Sequence, residues 1–260
     1  MRFDWSIDHS AAGGLSKASE LEWKQTVPFI EMGAHIGDHT FVASLGLSKG
    51  GSVVDNTWKN SDSDSSLYSK TKSRTGYGRI GFIWDHHSYQ WTNTLGSNFR
   101  LFTRLGIHYE RMAAYGLKDK ILGGSILDPD DKVITNQSTT LDTYFGFKAT
   151  RKWHNVEFYN ETALGISSTY NIDTHHLRDD LHSGSFEIIQ PYYSYHIKLG
   201  AKSTFSDNHD IRLSLEHHWL KNSNSKLHYS PKEPSEHIET RLNSSTRSEF
   251  GASINYEYFF

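Results

Sequence analysis

The chain has 260 residues, no cysteine, 13% aromatic residues, 36% hydrophobic residues and a formal charge of −3. No apolar run approaches the roughly 20 residues that a membrane helix needs, and neither a basic tract nor a large net charge favours a nucleic-acid partner. A transmembrane β-barrel remains open, because its strands need only about 10 residues with every second one apolar, and the lack of cysteine suits an exported chain that uses no disulfides.

The N-terminus Met1-Arg2-Phe3-Asp4 has no apolar leader core, so an exported chain is expected to have shed its signal peptide and to carry Met1 as an added residue. A first strand is predicted around Phe3 to Ser10. From Phe29 to Ile36 the outward set is Ile30, Met32, Ala34 and Ile36, and after a tight Gly37-Asp38-His39 turn Phe41, Ala43, Leu45 and Leu47 continue it. Val42, Ser44, Gly46 and Ser48 form the opposite, small-residue face, so the pair reads as a hairpin. Ile80, Phe82 and Trp84 repeat the pattern, and Leu101, Thr103, Leu105 and Ile107 resume it after a turn near Asn93 to Ser97. Phe145, Phe147 and Ala149 precede a turn at Arg151 to Asn155, after which Val156, Phe158, Thr162, Leu164 and Ile166 run outward again. Tyr193 to Ala201, then Ile211, Leu213 and Leu215, flank a turn at Ser206 to His209. The chain ends on Ile254, Tyr256, Tyr258 and Phe260, alternating with Ser253, Asn255, Glu257 and Phe259.

This pattern predicts a single domain over residues 1–260, an all-β, ten-stranded antiparallel transmembrane β-barrel. An even strand number puts both termini on one side. Long extracellular loops are expected near Asn60 to Leu67, Lys118 to Asn136, His176 to Ser185 and Tyr229 to Ile238. The alternative, a soluble β-sandwich, gives the second face of each strand a solvated exterior. Against it stand the asymmetric loops, the aromatic ending, and the charges opposite the apolar faces: Glu31, Arg100, Arg104, Glu110, Lys148, Glu157, Glu161, Lys198 and Glu216.

Two polar clusters fall where strands leave the expected membrane, Val54-Asp55-Asn56-Thr57-Trp58 and Asn171-Ile172-Asp173-Thr174-His175. Extending the alternation of the Val156 strand turns Asn171, Asp173 and His175 to the lumen. Unbroken alternation from Phe41 turns Asp55 outward, unless Gly50-Gly51 carries a bulge that flips the phase. The third and seventh of ten strands lie nearly across the lumen. A carboxylate fixes an imidazole's tautomer, and that imidazole with an opposing carboxylate can hold and deprotonate a water. The alternative is a set of solvated rim residues. His86-His87, His175-His176 and His217-His218 cannot chelate jointly, since neighbours on a strand face opposite sides. Asp62-Ser63-Asp64 and Asp128-Pro129-Asp130-Asp131 lack calcium-loop spacing. No metal and no tightly bound cofactor is expected.

The segment Gly13-Gly14-Leu15-Ser16-Lys17-Ala18-Ser19-Glu20-Leu21-Glu22-Trp23-Lys24, the run Gly50-Gly51-Ser52-Val53-Val54-Asp55-Asn56-Thr57-Trp58 and the element Asp173-Thr174-His175 resemble the omptin family of outer-membrane endopeptidases. The resemblance implies a bacterial outer-membrane location with the site facing the exterior. It also implies an aspartic-type hydrolase acting on extracellular peptides, with His175 as general base, Asp173 as its orienting partner and Asp55 as the opposing carboxylate. The family's second aspartate falls on Thr57, and an acidic position of its substrate pocket falls on Asn171, with Asp4 or Asp8 offered loosely as the other wall. A lipopolysaccharide-binding arginine falls on Arg111, although Ile107 and Tyr109 differ from the family's polar partners, and lipopolysaccharide is the one accessory the resemblance implies. Thr57 and Asn171 favour the alternative of a weakened barrel with an adhesion, binding or structural role. A passive pore fits poorly with a lumen full of Arg, Glu and Tyr.

Overall fold

The computed structural model is one antiparallel sheet of thirteen segments: β1 (Arg2–His9), β2 (Leu15–Gln25), β3 (Phe29–Ile36), β4 (His39–Ser48), β5 (Gly51–Trp58), β6 (Ser66–Lys72), β7 (Arg74–Thr92), β8 (Ser97–Tyr115), β9 (Lys132–Trp153), β10 (Val156–His175), β11 (Leu181–Ser206), β12 (His209–Pro231) and β13 (Ile238–Tyr258). The structure describes these strands with residues 26–28, 93–96, 154–155 and 176; side chains are described within 22–47, 78–115, 132–176, 187–222 and 245–258, excluding 25, 35, 37, 38, 88, 175, 207 and 208. Phe260 lies outside the described residues.

Ten strands emerge because three pairs of segments are consecutive halves of longer strands. β2 pairs with β5 while β3 pairs with β4, and β5 pairs with β6 while β4 pairs with β7. β1 pairs with both β13 and β2, which brings the last strand back to the first. Pairing every backbone donor and acceptor between strands is what allows such a sheet to sit in hydrocarbon. Beyond that contact, no register joins β3 to β13 among the described residues.

Alternation sorts the side chains inside out. Ile30, Leu45, Leu164, Tyr193 and Ile254 are among the exposed apolar residues, whereas Glu110, Asp142, Glu161 and Asp173 are buried. An exposed apolar band around a polar interior is the transmembrane barrel pattern and the reverse of a sandwich. Aromatic residues cluster toward the short turns, with Trp91 stacked on Phe99 at 5.2 Å and Trp153, Phe205, Tyr256 and Tyr258 exposed nearby. The turn after β7 is set by one side chain: Asn93 Oδ1 accepts from Leu95 N (3.0 Å) and Ser97 N (2.9 Å), while Gly96 takes a φ of 74°.

The strands outlast the sequence expectation at the other end. Lys132 to Asn136 open β9, Ser66 and Leu67 open β6, Leu181 to Ser185 open β11, and Tyr229 to Pro231 close β12, all within segments expected as loops. The correction has a simple cause. Beyond the apolar band, neighbouring strands continue to pair with one another, as Asn136 does with both Met112 and Asp173, so a polar sequence no longer signals a loop.

Inside the barrel Phe102, Tyr144 and Ala163 form a small buried apolar cluster, and Gly146 sits against it. A Cβ on Gly146 would lie 2.6 Å from Phe102 Cζ, 2.6 Å from the Thr162 carbonyl and 2.7 Å from Ala163 Cβ. Two of these neighbours are fixed by the sheet. Gly146→Val is therefore expected to destabilise the barrel by about 1–3 kcal/mol, read as a lowered urea midpoint in detergent.

Candidate functional site at the long-connection end

Strand β10 carries the better-described half of the site. Tyr159, Glu161, Ala163, Ser167, Thr169, Asn171 and Asp173 are buried, while Phe158, Leu164, Ile166 and Tyr170 are exposed, so the expected lumen set is correct wherever side chains are described. Asp173 is wholly buried, and Asn136 Nδ2 on β9 donates to its Oδ1 at 2.7 Å. Asn171 is 3% exposed, one lumen position deeper. His175 closes β10 opposite Ile134, a register position on the same face as Asp173; its side chain lies outside the described residues.

The other half turns on a change of phase between β4 and β5. In β4 the even positions face inward: Ser44 is buried and donates to Glu31 Oε2 at 2.8 Å across the β3–β4 pair. In β5 the register is Val53↔Trp23, Asp55↔Leu21 and Thr57↔Ser19, and Trp23 is fully buried. Positions 53, 55 and 57 thus share the face that Trp23 occupies. Between Gln25↔Gly51 and Phe29↔Gly46, three residues (26–28) lie on one strand and four (47–50) on the other. Against the opposite neighbour, between Ser48↔Thr75 and Ser52↔Lys72, three (49–51) oppose two (73–74). Both neighbours place one extra residue between β4 and β5, where Lys49, Gly50 and Gly51 stand. That insertion turns Asp55 and Thr57 from the outer to the inner register face; their side chains lie outside the described residues.

In strand order, the β4–β5 strand and β10 are separated by four steps one way and six the other. The two elements therefore stand on nearly opposite walls, both at the end where the longer connections lie.

Beneath them polar contacts fill the lumen, some between neighbouring strands and one across it. Arg247 on β13 and Glu110 on β8, five strands apart either way, form an ion pair in which Arg247 Nη2 donates to both carboxylate oxygens at 2.7 and 2.6 Å. Arg247 Nε also donates to Glu249 at 2.6 Å. Tyr144 OH lies 2.7 Å from His218 Nε2, and His108 Nδ1 lies 3.2 Å from Asp142 Oδ2. Lower still, Arg104 binds Asp85 (2.6 and 3.0 Å) and Glu161 (2.8 Å). Between Asn171, Tyr192, His218 and Arg247 there remains a cavity of about 20 Å³, room for roughly one water. Arg104, Glu110 and Glu161 were legible as inward charges; Arg247, Asp142 and His108 were not singled out, although the same alternation turns them inward, and His218 was noted only as half of a histidine pair.

The remaining expectations divide. Arg111 is exposed on the outer face of β8, in line with Tyr109, Ile107 and Leu105 and near the long-connection end. His217 and His218 part to opposite faces, His217 meeting Ser248 Oγ at 3.0 Å and His218 meeting Tyr144 inside. Asp4 and Asp8 have backbone positions in β1, and their side chains lie outside the described residues.

A search of solved structures aligns the whole chain, over 92% of the other chain and with a TM-score of 0.68 at 13% identity, with the outer membrane protease OmpT from Escherichia coli. The chain has an omptin-like fold. No protein-family model and no curated protein sequence matches it. At this identity the likeness to OmpT reports architecture alone.

Asn136→Ala would withdraw the donor from the buried Asp173 carboxylate. A cost of about 1–3 kcal/mol in unfolding free energy is expected, measured by urea titration, with Arg111→Ala on the outer face near zero in the same assay.

Proposed function

We propose that this chain is an outer-membrane endopeptidase whose site opens to the cell exterior and hydrolyses extracellular peptides with an activated water. In this reading His175 takes the proton from the water, Asp173 orients the imidazole, and Asp55 holds the water from the opposite wall. Thr57 contributes a hydroxyl to the water network where a second carboxylate would add charge. The register carries the reading: one inserted residue puts position 55 on the interior face of the strand that stands nearly opposite Asp173. The OmpT-like architecture supports the location and the class of reaction.

The closed lumen argues for chemistry at the rim over passage through the barrel. Arg247–Glu110 spans it between strands five apart, and Tyr144–His218 between strands three apart. A second reading, a barrel with weakened catalysis that serves adhesion or binding, draws on Thr57 and Asn171, which both remove negative charge from the cleft.

The test refolds the chain in detergent with lipopolysaccharide and assays a peptide library. Asp55→Ala and His175→Ala should each reduce cleavage by at least about 100-fold. Cleavage that survives both changes sinks the peptidase reading, and activity that appears only in Thr57→Asp supports the weakened barrel.

Arg111 is proposed as a contact for a lipopolysaccharide phosphate, since it is a basic residue on the outer face beside the aromatic Tyr109. One such charge is worth about 1 kcal/mol, so Arg111→Ala should raise the lipopolysaccharide concentration needed for half-maximal activity about fivefold. An unchanged concentration dependence would remove Arg111 from that role.

A further inference from the structure

We infer that the floor of the cleft selects peptides carrying a neutral polar side chain, because Arg247 already occupies the place that a basic substrate side chain would take. The inference rests on the peptide-binding reading above and names the substrate class of that site.

The register sets Glu110, Ser138 and Asn171 in one row across β8, β9 and β10, all inward and all buried. Asn171 is the residue next below Asp173 on the lumen face, so a side chain descending from a peptide at the rim meets this row first. Glu110 is the carboxylate in it. A lysine or arginine of the substrate would find its counter-charge there, but both oxygens of Glu110 receive Arg247 Nη2 at 2.7 and 2.6 Å. The Glu110 side chain is 1% exposed and Arg247 14%, so the pair is largely withdrawn from water, where charge-assisted bonds are hard to exchange.

Geometry agrees with charge. Arg247 and Asn171 line the same cavity of about 20 Å³, room for roughly one water, so an incoming side chain meets the row with its polar tip and not with its full length. Of the other acids lining that cavity, Glu249 is also bound by Arg247 and Asp142 lies 3.2 Å from His108 Nδ1. What the row offers an incoming side chain is the Asn171 amide and the Ser138 hydroxyl, groups that suit an amide or hydroxyl partner.

The experiment uses the full chain folded in detergent with lipopolysaccharide, and three fluorescent peptides that differ only in a central arginine, glutamine or glutamate. Fluorescence polarisation reads their affinities. The parent should bind the glutamine peptide most tightly. Arg247→Ala should bind the arginine peptide about tenfold more tightly than the parent does, since a charge-assisted bond to Glu110 becomes available. The double variant Glu110→Gln/Arg247→Ala should lose that gain. A parent that binds the arginine peptide most tightly overturns the inference, as does a folded Arg247→Ala without the gain, or a gain that persists in the double variant. Should Arg247→Ala fail to fold, judged by its heat-dependent gel mobility, the parent's order of affinities decides. The expected order without cleavage overturns catalysis and leaves this inference standing; arginine preference with cleavage does the reverse. Binding of none of the three overturns both.

Discussion

Arg247 reaches from β13 to Glu110 on the opposite wall, and the architecture depends on contacts of this kind. A barrel that turns its apolar side chains to lipid gives up the usual hydrophobic core, because transfer from lipid to protein interior releases no apolar surface from water. Its interior must be held by polar groups that satisfy one another. The Arg247–Glu110 pair does this in the middle of the barrel, with Arg104, Asp85 and Glu161 forming a second tier below. The small cluster of Phe102, Tyr144 and Ala163 fills space between the tiers and supplies little more than packing.

Such a network constrains function as well as stability. An arginine and a glutamate that meet across the middle divide the lumen, and the proposed site lies on the long-connection side of the pair. A buried pair is a poor source of net stability, since desolvation offsets most of its attraction, yet removing one partner leaves an uncompensated charge and is costly. The pair therefore acts more as a specification than as glue. Under the proposed reading it fixes how deep a substrate side chain can descend and which charge meets it.

Most of the fold was legible because period-two alternation is a local property. Ile30 to Ile36, Phe41 to Leu47 and Val156 to Ile166 announce their outer faces without reference to any partner strand. The site was legible by the same rule on β10, where Asn171 and Asp173 fall inward as counted. It was ambiguous on β5, because one inserted residue near Gly50-Gly51 reverses the count, and a pair of glycines says only that a bulge is tolerated. The partner strands resolve that ambiguity: Trp23 is buried, and Val53 lies opposite it. The strand extensions at Lys132 and Leu181 were illegible, since outside the lipid band the two faces no longer differ in polarity. The Arg247–Glu110 contact was illegible for another reason. Its partners lie 137 residues apart, and many inward charges could have met across the lumen.

Three features of the cleft now point the same way. Thr57 and Asn171 each stand where a carboxylate would raise the negative potential, and Glu110, the buried acid in the Asn171 row, is bound to an internal arginine. Each alone is a single residue choice; under the proposed reading they describe together a cleft moved toward neutrality at the rim, in the pocket and at the floor. An acid-rich cleft that lost one carboxylate by drift would leave the others uncompensated and free to draw basic substrates. Here the floor acid is matched by a guanidinium that holds both its oxygens. Under the proposed reading, the departures at Thr57 and Asn171 then belong to a change of substrate charge as much as to a loss of catalytic strength, and the two accounts part at Arg247, which holds the Glu110 carboxylate that a basic side chain would need.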